Sequence, residues 1–461
     1  MTTNLSRKDF LKLAGMSAAA LPAVHMVGSS GDFNFFESKE KFGGFTIRKA
    51  ADAKPWPFET NGDYERFDQY NNAFGQATWN EEYMARRDAE GSQGENAAKK
   101  MAAGVPGWNR FELELSNAVW WLARNRGANS YGWVEEVNEL PKVGDEGYSV
   151  AEMTNYVKKA TLFFGASDVG VIEAHENFFY KSIGRSPDDS KPQNIKNVAH
   201  PINNDEAPEI VIPESMNRVI VFTIEMDYDA FAAGGVNRVN SAAAGQGYTK
   251  MALVAPSLAM FIRSLGYQAI PMGNDTGLSV PMAIAAGLGE DSRMGLLVTP
   301  KYGPRVRLAK VLTDMPLDVD SPISFGVKEF CEVCGKCAEG CPSGCIPGPE
   351  ELPTTRFERY DTNNTKGVKK WQVRQKECHI YWNTSGVGCG NCLATCPFNK
   401  PEGWLHDATR ILIGAKAGTL DSVMKKLDDL SGYASGYNED VDENLIDYFW
   451  HDKEEYIHRK A

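Results

Sequence analysis

Cys331-Glu-Val-Cys334-Gly-Lys-Cys337-Ala-Glu-Gly-Cys341-Pro342 decides how the last third of this chain is built. The spacing is C-x2-C-x2-C-x3-C-P, the run in which bacterial ferredoxins hold iron–sulfur clusters. Thiolates are soft ligands, and a C-x2-C turn lets two of them reach one cubane. A second run follows: Cys378, then Cys389-Gly-Asn-Cys392-Leu-Ala-Thr-Cys396-Pro397. It repeats C-x2-C-x3-C-P, but its first cysteine stands 11 residues upstream rather than three. In two-cluster frames the fourth cysteine of each run ligates the other cluster. The expected ligand sets are therefore Cys331, Cys334, Cys337 and Cys396 for one [4Fe–4S] cluster, and Cys341, Cys378, Cys389 and Cys392 for the second. Zinc ribbons and disulfides are the alternatives. Zinc does not need the x2-x2-x3-Pro frame, and all nine cysteines fall between 331 and 396, a poor disulfide scaffold in so large a chain. Cys345 is left over and reads as a bystander thiol, because a ligand role would place a fifth donor on one cluster.

Working outward, 330 residues precede the first cysteine, far more than an electron carrier needs. The chain has 461 residues and a formal charge of −12, which opposes a nucleic-acid partner. Hydrophobic residues make up 42% and aromatics 11%, enough for a large packed core. No run of ~20 apolar residues is present, so no ordinary membrane span is expected. Residues 1–31 read as an export signal: Arg7 and Lys8 in a polar start, then Leu13 to Gly31 without a formally charged residue. Ser6-Arg7-Lys8-Asp9-Phe10-Leu11-Lys12 resembles the twin-arginine signal, with Lys8 where the second arginine should be.

Residues 32–149 read as an irregular wrap with short helices, one near Asn80–Arg87 and an amphipathic one over 111–126. Ser149-Val-Ala-Glu152 is a capping box opening a helix to about Phe164. Strands are expected at Ala166–Ile172, Arg218–Glu225, Tyr267–Met272, Gly295–Thr299 and Val306–Thr313. Helices are expected at Tyr248–Leu265, started late or kinked by Pro256, and at Ser279–Ala286. Alternating strands and helices imply an α/β core over 150–322. A two-cluster, ferredoxin-like domain over 323–403 and a tail over 404–461 with Trp404 and a helix near 408–430 complete the chain.

Clusters imply an electron sink, and cofactors carry the hard chemistry. No G-x-G-x-x-G follows a strand, so nicotinamide and flavin fingerprints are absent. No histidine lies in a D-x-H-x-x-G pattern, so a corrinoid, if bound, would stay base-off. The chain resembles the reductive dehalogenase family, the corrinoid and iron–sulfur enzymes of organohalide respiration. The resemblance rests on the export signal, the paired cysteine runs and core segments: Gly245-Gln-Gly-Tyr248-Thr-Lys-Met251, Phe261-Ile-Arg-Ser-Leu-Gly-Tyr267, Ala286-Gly-Leu-Gly-Glu290, Ser292-Arg-Met-Gly295, Thr299-Pro300, Gly303-Pro-Arg-Val-Arg307 and Thr313-Asp-Met-Pro-Leu317. Residues 32–140 match poorly.

The resemblance implies a corrinoid-binding core, nitroreductase-like and α+β or α/β, with the nearer cluster beside the macrocycle. It implies Tyr248 as proton donor, Arg307 (with Arg305 nearby) as the charge that stabilises it, and Asn274 of Gly273-Asn-Asp-Thr276 as a site residue. It implies Trp382 as a pocket aromatic; Trp56, Trp108, Trp120 and Trp121 are further candidates for an apolar, aromatic substrate pocket. Its partners would be a small chlorinated or brominated alkane or alkene, a small integral membrane anchor protein and an upstream respiratory donor, on the outer face of the cytoplasmic membrane. A guanidinium favours phenolate over phenol, which suits a tyrosine that must give up a proton. The rivals are an epoxyqueuosine-reductase-like corrinoid enzyme, a two-cluster electron carrier without corrinoid and a flavin-containing iron–sulfur reductase. The export signal and the acidic charge oppose the first.

Overall fold

The computed structural model describes residues 55–125, 141–233, 236–349, 357–358, 361–399, 446–447 and 449–450, with backbone alone at 35–36, 47–49 and 121–125. The export signal, Trp404 and the helix expected near 408–430 lie outside the described residues.

The centre is a four-stranded sheet in the order Asp168–Glu173, Arg218–Glu225, Val306–Thr313, Ala269–Met272. Every neighbouring pair in it is antiparallel. This corrects the α/β expectation and makes the core α+β. The helix Arg238–Ser264 does connect two strands that run the same way, Arg218–Glu225 and Ala269–Met272. Val306–Thr313 then inserts between them, antiparallel to both. A sequence pattern reports element order, and an intruding strand from further along leaves that order unchanged. Among the described residues the parallel pairing is between Lys191–Lys196 and Ile210–Pro213, in a small separate sheet.

Both faces of the central sheet are covered, which is why Arg218–Glu225 is an apolar run rather than an alternation. Ile220, Phe222 and Ile224 point to one side and pack with Met251, Ala255, Leu258 and Ile262 of the long helix. Val219 and Val221 point to the other, against Phe178, Met272, Met282 and Leu312. Side-chain parity divides Val306–Thr313 likewise: Ala309 and Val311 join the helix side, Leu308 and Leu312 the opposite side. Arg307 and Lys310 consequently face opposite sides of the sheet.

The long helix begins at Arg238, ten residues before the expected start, with the Asn237 side chain accepting the Asn240 N–H at 2.9 Å. Gly245 and Gly247 lower local helix propensity by about 1 kcal/mol each, which hides the start in the sequence. Packing requires them: a Cβ at Gly245 would lie 2.7 Å from Val119 Cγ2, and one at Gly247 would lie 2.7 Å from Arg307 Cγ. Pro256 sits inside the helix rather than at its start. The expected strand Gly295–Thr299 shortens to Leu297–Val298, paired with Glu290–Asp291.

The wrap contains helices Ala73–Trp79, Glu81–Ala89 and Gln93–Ala102, which pack against Gln375–Ser385 of the cysteine region. Arg86 and Glu377 join the two by paired bonds of 3.0 and 2.8 Å. Arg110–Asn125 lies along the long helix. The capping box at Ser149 forms as expected, opening Val150–Phe163. No described helix is long and apolar enough to cross a membrane.

Candidate active site and the cysteine quartets

Three elements converge on Tyr248. It stands half-buried in the first half of the long helix, one residue beyond Gly247. The odd-numbered parity that puts Ala309 against that helix does the same for Arg307, whose guanidinium carbon lies 4.6 Å from the centre of the Tyr248 ring. Arg307 Nε is buried and has no hydrogen-bond partner among the described residues. From the end of Ala269–Met272 comes Asn274, whose Nδ2 donates to the Tyr248 hydroxyl at 2.9 Å. Trp120, on the neighbouring helix, stacks on the remaining side with ring centroids 5.3 Å apart.

The Asn274 loop is held from beneath. Lys310 is wholly buried on the other side of the sheet, and its Nζ donates to Gly273 O, to Gly277 O at 3.3 Å and to Ser279 Oγ at 2.8 Å. Tyr180 donates its hydroxyl to Asn274 O at 3.1 Å, and Gln193 Nε2 donates to Thr276 O at 2.9 Å. Thr276 sits at φ 68°, a left-handed conformation that a β-branched residue adopts only when its surroundings impose it. Burial pushes the Asp275 carboxyl up to about 6 and the Lys310 amine down to about 8.

Arg305 is engaged elsewhere. It is buried, with Nε on Asn399 Oδ1 at 3.0 Å and Nη1 on Glu225 Oε1 at 2.8 Å, and so ties the sheet to the cysteine region. Trp382 has ring contacts with Phe74 and His379 at 5.7 and 5.6 Å, in the seam between the wrap and Gln375–Ser385. Its indole N–H is buried and unpartnered among the described residues. The aromatic set against Tyr248 itself is Trp120. Trp108 is buried, with its indole N–H on Val236 O at 3.2 Å, and Trp56 packs among Phe58, Tyr64 and Phe178.

The cysteines gather in two groups. Cys331, Cys334, Cys337 and Cys396 lie within electrostatic reach of one another. Cys392 lies near Cys389, Cys341 and Cys345, and faces Cys337 across to the first group. Cys378 meets the second group through Cys345, whose sulfur is 3.4 Å from that of Cys341. Cys345 is thus a buried thiol inside the second group. Burial pushes the Cys331, Cys337 and Cys392 thiols well above their usual range, and Cys389 to about 11. Such thiols ionise only in exchange for a strongly bound cation, which suits cluster ligation.

Local sequence shapes the loops. Gly335 has φ 69°, and a Cβ there would stand 2.5 Å from Pro349 Cγ, so the turn between Cys334 and Cys337 takes glycine. Glu290, almost fully buried, accepts from the backbone N–H of Phe325 and Val327 at 2.7 and 3.1 Å and so fixes the start of Val327–Cys334. Glu290 and Arg293 fall in resembling segments without a role being assigned to them, and Lys310 lies outside those segments. A cation in the middle of the buried run Val306–Thr313, three positions beyond Arg307 and so on the opposite face, is the signal that points to Lys310. The second group is the nearer to Tyr248's helix: Leu393, beside Cys392, packs in one cluster with Met226, Val239 and Ala243.

Residues 330–399 match the family model described as a 4Fe-4S double cluster binding domain. The chain is 35% identical over 478 residues to the tetrachloroethene reductive dehalogenase of Sulfurospirillum multivorans, covering 94% of this chain and 92% of that protein. It is 36% identical over 332 residues to the protein of that name from Desulfitobacterium hafniense, covering 66% and 59%. A solved reductive dehalogenase described for B12-dependent dehalogenation superposes with a TM-score of 0.60 at 22% identity, over 87% of this chain and 50% of that one, a likeness of fold.

Proposed function

The chain belongs to the reductive dehalogenase family, and from that premise we propose that it is a respiratory enzyme replacing carbon-bound halogen by hydrogen on a small chlorinated or brominated alkane or alkene. The relatives named for tetrachloroethene favour a chloroalkene. The net reaction takes R–X, two electrons and one proton to R–H and halide. The observation that carries the reading is the convergence of Asn274, Arg307 and Trp120 on one tyrosine.

Tyr248 supplies the proton. The Arg307 guanidinium lies against its ring and the Asn274 N–H donates to its oxygen, and the two hold the hydroxyl in place for the transfer. Arg307 Nε–H, buried and unpartnered among the described residues, is free to meet a polar atom or departing halide beside Tyr248. Trp120, and Trp382 on the helix that carries Cys378, are the apolar walls. Cys331, Cys334, Cys337 and Cys396 would hold one [4Fe–4S] cluster, and Cys341, Cys378, Cys389 and Cys392 the other. The orphaned Arg307 donor suits a polar group of a corrinoid, which Tyr248, Asn274 and Arg307 would hold in a core read as nitroreductase-like. When bound, that corrinoid supplies the low-potential cobalt chemistry that takes halogen from carbon.

Tyr248→Phe tests the assignment. It should abolish chloride release from tetrachloroethene while eight irons and one cobalt per chain remain; retained turnover removes Tyr248 as the acid. The Arg7/Lys8 segment supports export to the outer face of the cytoplasmic membrane, docked on a small integral anchor and fed by a respiratory donor. A reporter fused to residues 1–35 should leave the cytoplasm, and one that stays inside defeats this localisation.

A further inference from the structure

Arg293 is fully buried, and all five of its N–H donors go to backbone carbonyls. Nε and Nη2 reach Cys331 O at 2.9 and 2.6 Å, Nη2 also reaches Glu332 O at 3.2 Å, and Nη1 reaches Pro347 O and Gly348 O at 2.9 and 3.0 Å. The guanidinium is therefore saturated in hydrogen bonds yet has no carboxylate within ion-pair distance among the described residues. The adjacent acids are committed elsewhere: Glu290 to the N–H groups of Phe325 and Val327, and Asp291 faces the buried Lys370. A buried cation without an anion is costly, because backbone carbonyls solvate the charge without cancelling it. What stands beside it is the first cysteine group. The Arg293 backbone N–H also reaches the Cys331 sulfur, and its charge acts on both Cys331 and Cys337. Four thiolates around a [4Fe–4S] core leave a net negative complex, which becomes more negative on taking up an electron.

We propose that Arg293 is the fixed counter-charge of the first cluster and holds it at a higher reduction potential than the second. Reduction adds one electron from an external donor and makes or breaks no bond, so a nearby buried cation stabilises the reduced state more than the oxidised one. Beside the second group Arg374 donates through Nη1 to Gly344 O at 3.2 Å, but it is partly exposed, so solvent screens its charge where Arg293 is fully buried. The groups acting on Cys341, Cys389 and Cys392 are other thiols, the Ser343 hydroxyl and backbone N–H groups. The outer cluster is accordingly the one filled first, an electron store behind the cluster that faces Tyr248. This inference rests on the cysteine assignment alone. A chain holding eight irons but releasing no halide leaves it standing, and a chain without iron removes the assignment first.

The experiment is a potentiometric titration of the full, cluster-loaded chain with low-potential Ti(III) citrate, followed by electron paramagnetic resonance. The first cluster's signal is identified by its perturbation in Cys396→Ser. Arg293→Gln keeps donors and drops the charge; Arg293→Lys keeps the charge with fewer donors. At the wild-type midpoint, Arg293→Gln should lower the reduced-to-oxidised ratio of the first cluster at least tenfold, about 59 mV for one electron, with the second unmoved. Arg293→Lys should stay within threefold of wild type. An unchanged ratio in the Gln variant, a joint shift of both clusters, or a Lys variant as low as Gln overturns the proposal. Iron retention decides where a variant loads poorly: loss in Gln but not Lys supports the charge, and equal loss in both counts against it.

Discussion

At the scale of single residues, the site depends on one strand presenting two cations to opposite sides. Arg307 meets Tyr248 on the helix side; Lys310, three positions on, reaches through the other side to the loop that bears Asn274. Asp275 shares that buried space, its Oδ1 accepting the Gly273 N–H at 2.7 Å. Burial holds its carboxyl at about 6 instead of 3.8, which gives a signed prediction. A carboxyl whose folded value is raised contributes stability that is complete below its unfolded value and is lost as pH rises through the folded one. Asp275→Asn cannot titrate, so wild type should lose thermal stability relative to this variant as pH rises from about 4 to about 6, the span between the unfolded and folded values. The rise from 3.8 to about 6 bounds the effect at on the order of 2–3 kcal/mol. Parallel melting curves across that window would mean that Asp275 ionises as an ordinary surface acid. Lys310 carries the opposite sign: its depressed value of about 8 contributes stability present above the unfolded value and lost as pH falls through 8.

At the scale of elements, legibility follows burial pattern. Arg218–Glu225 and Val306–Thr313 are legible to the residue, because buried β-branched runs with polar ends have one reading. The Ser149 capping box marks its helix start for the same local reason. The start of Arg238–Ser264 is hidden because Gly245 and Gly247 answer to Val119 and Arg307, which are remote in sequence. Sheet order is hidden likewise: nothing within Val306–Thr313 says that it will insert between two earlier strands. The site shows the same division. Tyr248, Asn274 and Arg307 stand out by resemblance, and the structure brings all three together. Lys310 and Arg293 act through backbone carbonyls, which carry no sequence signature, so only coordinates reveal their targets.

At the scale of the whole molecule, two cores are stabilised by different means. The sheet has an apolar layer on each face and needs nothing added. The cysteine region has a small core of Met294, Val298, Phe325, Val327, Phe330, Val373 and Phe398 around the thiols themselves. Its helices are short, eight residues at Val327–Cys334, four at Asn391–Ala394 and eleven at Gln375–Ser385, below the length at which helices persist unaided. Iron would cross-link these pieces, and without it the buried thiols revert to neutral groups with little to hold them. The wrap helices 73–102 dock on Gln375–Ser385 through Arg86–Glu377 and the Tyr83–His379 hydrogen bond, so their order depends on it. Stripping iron with a chelator under oxidation should therefore raise amide hydrogen exchange across 327–347, 375–399 and 73–102. Residues 218–225 and 306–313 should keep their protection, because local opening follows whichever core has lost its cross-links. Exchange that rises evenly over the chain would mean that the two cores unfold as one, and exchange unchanged near the cysteines would mean that iron is not what orders them.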